Sequence, residues 1–399
     1  NVTFPKDAEQ ESNGRNNAVI RLITRLIFIW FMKERGLIPM DLFHMGKISA
    51  LLKSLKPGDT TYYKSILQNL FFATLNTKIE ERKFRFKHSY NKGWNQDYMD
   101  HSIYRYEDYL KNQEDMLVIF KDIPFLNGGL FEPLADYNWR KVNIEIPNSL
   151  FSNTKTTSAG DTGSGILDVF DRYNFTVNEA EPLEQEVAID PEMLGKVFEN
   201  LLEVKERKSK GSFYTPREIV HYMCQESLIN YLDTSLNEHK TIVLREDVEA
   251  FIYSGDQASY YEAARVEGTS YQRKLPKTIQ SHARLLDDKL AEIAVCDPAI
   301  GSGAFPVGMM QEIVRARSAL SSYFNDVHER TAYHFKRHAI QKCLYGVDID
   351  PGAVEIAKLR LLLSLVVDEE DVRQIKPLPN LDYKIVVGNS LLGFPFKSP

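Results

Sequence analysis

The chain has 399 residues, enough for ~2–3 domains of ordinary size, and its 43% apolar and 26% charged residues suit a globular protein whose cores need no metal or disulfide staples. A formal charge of −6 excludes a protein that coats nucleic acid through overall positive charge, but leaves room for a nucleic-acid enzyme with local basic patches. Cys224, Cys296 and Cys343 show no pair spacing, and the apolar surroundings of Cys224 and Cys296 predict buried, reduced thiols and a cytoplasmic protein.

No signal peptide precedes the first element, and Asn1 rather than a methionine opens the chain, which reads as a fragment of a longer protein. The most apolar stretch, Ala18 to Met32, is interrupted by Arg21 and Arg25. It falls short of the ~18 uninterrupted apolar residues of a membrane span and is expected to be a core helix. That helix, Arg15–Arg35, carries Val19, Leu22, Ile23, Leu26, Ile27, Trp30 and Phe31 at spacings of three and four, and ends at Gly36 and Pro39. Shorter helical patterns follow at Leu42–Leu55, Tyr62–Thr77 and Tyr104–Phe120.

Between them, Arg82-Lys83-Phe84-Arg85-Phe86-Lys87-His88 alternates basic and aromatic residues. It reads either as a ribbon offering Arg82, Lys83, Arg85 and Lys87 to DNA phosphates or as an edge strand with a charged outer face. Pro124 to Phe131 is an apolar corner with two glycines, and Ser152–Gly165 has the composition of a flexible loop. These signals divide the chain into a helical domain over 1–150, a linker region over 151–186 and an α/β domain over 187–399.

In the last of these, Asp190-Pro191 starts a helix that runs into Lys205 to Gly211, a basic loop whose Lys208 and Lys210 are further candidates for phosphate contact or simply a solvated face. Thr215-Pro216-Arg217-Glu218 reads as a capping box opening a helix with Ile219, Val220, Met223, Cys224, Leu228 and Leu232 on its buried face. Residues 233–280 read as an irregular surface insertion. A helix near Ser281–Leu290 then leads to three units of strand, polar turn and, for the first two, helix. The strand Ala291–Cys296 ends in Asp297-Pro298-Ala299-Ile300-Gly301-Ser302-Gly303-Ala304-Phe305, Cys343–Val347 ends in Asp348-Ile349-Asp350-Pro351, and Tyr383–Val387 ends in Gly388-Asn389-Ser390-Leu391-Leu392.

In an open α/β sheet, ligands bind outside the carboxyl ends of the strands. Asp348 is placed to accept from a ribose diol, Asn389 to meet an adenine edge, and Ile349 to pack on the adenine face. The glycine turn is not a dinucleotide fingerprint, because Pro306 occupies the third-glycine position and Asp348 lies well beyond the ~20-residue spacing. Asp297 beside the turn disfavours pyrophosphate and favours a ligand carrying an ammonium group. Adenosine joined to an amino acid points to S-adenosylmethionine.

In order, Phe213-Tyr214-Thr215-Pro216, Asp297 to Phe305, Gly346 to Pro351 and Gly388 to Leu392 resemble the cofactor motifs of N6-adenine DNA methyltransferases of gamma-type order. The nearest similarity is to the methyltransferase part of type IIG restriction-modification enzymes. Type I modification subunits are similar but usually carry Gly-Thr-Gly-Gly-Phe where this chain has Gly301-Ser302-Gly303-Ala304-Phe305. The resemblance implies an α/β fold: a partial Rossmann-like S-adenosylmethionine-dependent methyltransferase core preceded by a mainly α-helical domain. It implies a cofactor site of Tyr214, Thr215, Asp297, Ala299, Gly301, Gly303, Phe305, Asp348, Ile349 and Asn389, with Thr215 at the methionine carboxylate. Asn389 stands where the family often has an aspartate, and Ile300 replaces a common cysteine.

The resemblance also implies that the full-length enzyme acts on double-stranded DNA, flipping the target base. The family's catalytic motif, Asn/Asp-Pro-Pro-aromatic, is absent, since Pro377-Leu378-Pro379-Asn380 has the wrong order. The chain by itself is therefore expected to be inactive and to hold no catalytic residue. Rival readings are a scaffold or DNA-binding module without turnover, and a methyltransferase for RNA or protein. Two decoys fail. Asp190-Pro191 with Glu203-Val204-Lys205 mimics a nuclease pattern but lies on one helix, and His334 with His338 lacks a third ligand, so no metal site is expected.

Overall fold

The computed structural model describes residues 2–4, 14–84, 102–126, 130–131, 144–172, 215–238, 243–266, 275–324, 330–366 and 376–392. They fall into two compact units, Asn1–Pro191 with Glu369–Asn380, and Glu192–Asp368 with Leu381–Pro399.

The first unit is built on α1 (Gly14–Glu34), in which Phe28 through Met32 are all buried. The helix stops because Gly36 takes φ 70°, letting the Leu37 N–H reach back to the Met32 carbonyl (2.9 Å) and the Gly36 N–H to that of Lys33 (2.9 Å). Arg25 is also buried; its Nε donates to the Leu130 carbonyl (2.7 Å) and its guanidinium lies 5.3 Å from the Phe72 ring centroid. A short helix α2 (Met45–Leu51) and two π-helical segments, Tyr62–Leu67 and Asn69–Leu75, complete the apolar centre.

Several expectations change here. The helical pattern over Tyr104–Phe120 gives a 3-10 turn at Glu107–Tyr109 and an α-helix at α3 (Gln113–Phe120), where the Asn112 side chain caps by accepting from the Glu114 N–H (3.1 Å). Upstream, β1 (Lys83–Phe84) and β2 (Ile103–Tyr104) pair in parallel. The stretch Ser152–Gly165 is tied down by Asp168 of α4 (Ile166–Phe170). That carboxylate accepts from Ser152 Oγ (2.5 Å), the Asn153 N–H (2.9 Å) and the Gly165 N–H (2.9 Å). Leu378 and Pro379 are buried, and the Leu378 N–H donates to the Leu126 carbonyl.

In the second unit α5 (Arg217–Asn237) and α6 (Arg245–Val266) pack on each other. The stretch 233–280 is therefore not an irregular insertion where it is described. Val248, Phe251 and Ile252 form a buried helical stripe on α6, and α7 (Lys277–Ser281) follows. Then come α8 (Ala283–Glu292), β3 (Val295–Asp297), α9 (Ala304–Leu320), α10 (Ala332–His338), β4 (Leu344–Asp348), α11 (Pro351–Val366) and β5 (Ile385–Val387).

The sheet is parallel, in the order β3-β4-β5, with Asp297 opposite Gly346 and Asp348 opposite Val387. Helical crossovers return each strand to the same direction, so the three polar turns emerge at one edge. Cys296 corrects the expectation of a buried thiol. Alternation turns it away from Val295 and Asp297, and it is exposed, whereas Cys224 and Cys343 are buried. Among the described residues no helix is long and apolar enough to cross a membrane.

Candidate functional site

The turn after β3 is held open by two residues that only glycine fits well. Gly301 has φ 53° and Gly303 has φ 86°, both left-handed. At Gly303 an added Cβ would sit 3.0 Å from Ala357 Cα and Cβ on α11, whereas at Gly301 nothing lies within 4 Å. Gly301 thus borders open space while Gly303 seats the turn against a helix. Ile300, between strand and turn, is 3% exposed. It fills the place a side chain at Gly346 would take, since a Cβ there would lie 2.3 Å from Ile300 Cδ1.

Backbone donors bind the acidic strand ends to the turn. Asp348 accepts from the Gly301 N–H through Oδ2 (2.8 Å) and from the Asp350 N–H through Oδ1 (2.8 Å), while its carbonyl accepts from the Gly388 N–H (2.8 Å). Asp350 accepts from the Gly352 N–H (2.7 Å) and so starts α11. Asp297 Oδ1 accepts from the Ala299 N–H (3.0 Å), and its Oδ2 is buried with no hydrogen-bond partner among the described residues. Burial pushes the Asp297 carboxyl above the ordinary range; the Ala299 N–H opposes that, and the charge of Asp348 adds to it. A buried carboxylate oxygen without a donor is costly, and a cationic ligand group would relieve it. Asn389, just past β5, is exposed, and its Oδ1 accepts from the Leu391 N–H (3.0 Å). Ile349 is exposed immediately after the end of β4.

No family model matches the chain. A protein described as a candidate type II restriction enzyme and methyltransferase, RM.MjaORFECS2P of Methanocaldococcus jannaschii, is 29% identical over 384 residues, covering 94% of this chain and 27% of its own length. The type II restriction enzyme and methyltransferase RM.Eco57I of Escherichia coli is 35% identical over 127 residues, 28% of this chain and 12% of the relative. The adenine-specific methyltransferase PglX of Streptomyces coelicolor is 32% identical over 103 residues, 25% of this chain and 8% of the relative. The chain is thus similar in sequence to proteins named as type II restriction enzymes and methyltransferases, and over a shorter stretch to one named as an adenine-specific methyltransferase. It spans about a quarter of the length of the first of them. Its fold is similar to that of the type IIL restriction-modification enzyme MmeI, solved in complex with DNA, with a TM-score of 0.51 at 15% identity over 94% of this chain and 37% of MmeI.

The expected residues are gathered unevenly in the structure. The Ala299 N–H bonds to Asp297 and the Gly301 N–H to Asp348, and Asn389 follows the Gly388 that bonds to Asp348. Phe305 is half-buried in the first turn of α9, where its carbonyl lies 3.7 Å from Cys224 Sγ. Burial pushes the Cys224 thiol up to about 12, with Glu312 and Asp297 adding to the effect, so it stays neutral at neutral pH.

Thr215 is half-buried but is not the helix cap. Pro216 takes that position, no side chain caps α5, and the Ile219 and Val220 N–H groups bond to the Pro216 carbonyl. Tyr214 lies outside the described residues, as do Arg85, Lys87, Lys208, Lys210 and the Asp190 and Glu203 decoy. Lys83 is exposed.

Arg82, a candidate for phosphate contact, is engaged within the first unit. Its guanidinium donates to four carbonyls, those of Thr77 (3.1 Å), Phe120 (2.9 Å), Ile123 (2.9 Å) and Thr74 (2.8 Å), which pins the chain of the first unit together. His334 Nδ1 lies 2.8 Å from Thr331 Oγ1, and among the described residues no three ligands could hold a metal ion. Sequence reasoning missed the Ile300–Gly346 contact; an apolar residue in a polar turn, opposite a glycine inside a strand, was the available signal.

Proposed function

We propose that this chain is the S-adenosylmethionine-binding part of a site-specific adenine-N6 DNA methyltransferase from a type IIG-like restriction-modification system. The single observation that carries the reading is the buried Asp297 Oδ2, without a partner among the described residues, beside a glycine turn where no described atom lies within 4 Å of a Cβ at Gly301. An ammonium group suits the first, and close approach of a ligand to backbone suits the second. The parallel order β3-β4-β5, each strand ending in a polar turn at one edge, supports a Rossmann-like core whose ligand would bind outside the carboxyl ends.

In this reading Asp297 holds the amino acid's ammonium. Asp348 accepts from the ribose hydroxyls with the acceptor capacity left after its two backbone bonds, since each carboxylate oxygen has two lone pairs. Ile349 covers one adenine face. The Asn389 amide nitrogen donates to a ring nitrogen, while its oxygen accepts from the Leu391 N–H. When bound, S-adenosylmethionine supplies an electrophilic methyl on its sulfonium. The residues of this chain bind and orient the donor; no Asn/Asp-Pro-Pro-aromatic motif is present in the 399 residues to receive the acceptor base.

Double-stranded DNA as partner of the whole enzyme is part of the same proposal, supported by the relatives' names and the MmeI fold. Isothermal titration of the full chain with S-adenosylhomocysteine, NAD⁺ and ATP tests it. Binding of the first alone is expected. Preference for a pyrophosphate ligand, or binding of none, overturns it.

A further inference from the structure

Helix α11 is apolar along most of its length, with Leu359, Leu361, Leu362, Leu363 and Leu365 buried, yet Arg360 in its middle is 3% exposed. Burying a guanidinium costs several kcal/mol unless its donors are met, so its place there calls for a physical reason. The reason lies across the helix interface. Arg360 Nη1 donates to the Ser302 carbonyl at 2.9 Å and lies 3.5 Å from Ser302 Oγ. Ser302 is the residue between the two left-handed glycines of the turn and is itself 5% exposed.

One helical turn earlier, Ala357 lies against Gly303, leaving no room for a Cβ. Residues three apart share a helix face, so α11 presents a flat spot and a fixed donor side by side. The far end of the same turn is fastened by the Gly301 N–H to Asp348 Oδ2 (2.8 Å), and α11 starts from Asp350, two residues past Asp348.

We propose that Arg360 is a positioning residue for the donor site: it fixes the Ser302–Gly303 peptide and so sets the turn in its ligand-binding shape before ligand arrives. The proposal rests on the donor-binding reading above. Glycine permits many conformations, and a turn with glycine on both sides of Ser302 has little intrinsic preference of its own. The guanidinium narrows that range. A planar fork loses less freedom per bond than an ammonium would, which suits arginine to the task. The bond also turns the Ser302 carbonyl toward α11, so its partial negative charge is kept off the ligand's carboxylate. Preorganisation of this kind raises affinity by lowering the ordering cost of binding.

Two variants of the full chain, Arg360→Met and Arg360→Lys, test it by three readouts. Methionine keeps the apolar stem while removing the buried charge and its desolvation cost. For Arg360→Met we expect a melting temperature near that of wild type, faster amide exchange confined to residues 299–305, and an S-adenosylhomocysteine affinity reduced at least ~10-fold by loss of preorganisation. Lysine, which can still donate to the carbonyl, should restore part of both. Unchanged exchange in the turn overturns the proposal, as does wild-type affinity in Arg360→Met. If Arg360→Met fails to fold, Arg360→Lys carries the test: intermediate exchange and affinity support the proposal, and wild-type values in both overturn it. If wild type binds no S-adenosylhomocysteine, the donor-site reading fails, and the exchange measurement alone still decides whether Arg360 fixes the turn.

Discussion

Replacing Gly303 with alanine separates backbone strain from packing in the central turn. Gly303 sits at φ 86°, so any L side chain is strained there, at a cost of about 1–2 kcal/mol. Its new Cβ would also press to 3.0 Å on Ala357 Cα, which is backbone and cannot swing aside. Overpacking of that kind adds about 1–3 kcal/mol, for a total of about 2–5 kcal/mol. Gly301 provides the control. It has φ 53° with nothing within 4 Å, so Gly301→Ala should cost only the strain, about 1–2 kcal/mol.

At about 2–4 °C per kcal/mol for a unit of this size, Gly303→Ala should lower the transition by roughly 4–20 °C. The assay follows from the sequence. Trp30, Trp94 and Trp139 all precede residue 192, so tryptophan fluorescence reports the first unit and serves as the reference. Far-UV circular dichroism and amide exchange over α9 and α11 report the second. Equal losses in the two variants would refute the close approach of α11, and a shift seen only in fluorescence would refute the assignment to the second unit.

Other expectations concern charge. Asp297 has a folded pKa above the ordinary one, so its contribution to stability is present at low pH and lost as pH rises through that raised value. Asp297→Asn should therefore stabilise the unliganded chain at neutral pH while weakening S-adenosylhomocysteine, whose affinity in wild type should fall as pH drops through the raised pKa. Calorimetry across pH checks this, and a pH-independent affinity in wild type counts against ammonium binding at Asp297. Asp287 behaves oppositely. Burial raises its pKa, but hydrogen bonds from Arg330 and Arg317 outweigh that and hold it low. Its stabilisation is present above the unfolded pKa and lost as pH falls through the lowered one. Asp287→Asn leaves two largely buried guanidinium groups poorly paired and should cost about 3–5 kcal/mol by urea denaturation; a loss under about 1 kcal/mol would refute the role of this cluster.

The second unit was readable where chemistry and periodicity coincide. Asp297, Asp348 and Asn389 each follow a short apolar run, and the register places them at one sheet edge. Gly36 as a helix stop was readable for the same reason: one residue type suits one backbone conformation. What escaped depended on distant partners. Ser152–Gly165 has a loop's composition, yet three bonds to Asp168 order it. Arg82 looks like a surface cation until the carbonyls of Thr74, Phe120 and Ile123 surround it. The capping signature at Thr215 was displaced by one residue because Pro216 has extended backbone, φ −55° and ψ 146°, and so precedes the first helical turn. The helix α6 was missed because its stripe of Val248, Phe251 and Ile252 is short and set among polar residues.

Amide exchange of the full chain with and without S-adenosylhomocysteine tests the central claim most directly. The account predicts protection on binding at residues 297–305, 346–350 and 387–391, with the first unit unchanged. Protection absent from those three turns, or concentrated in the first unit, would contradict it.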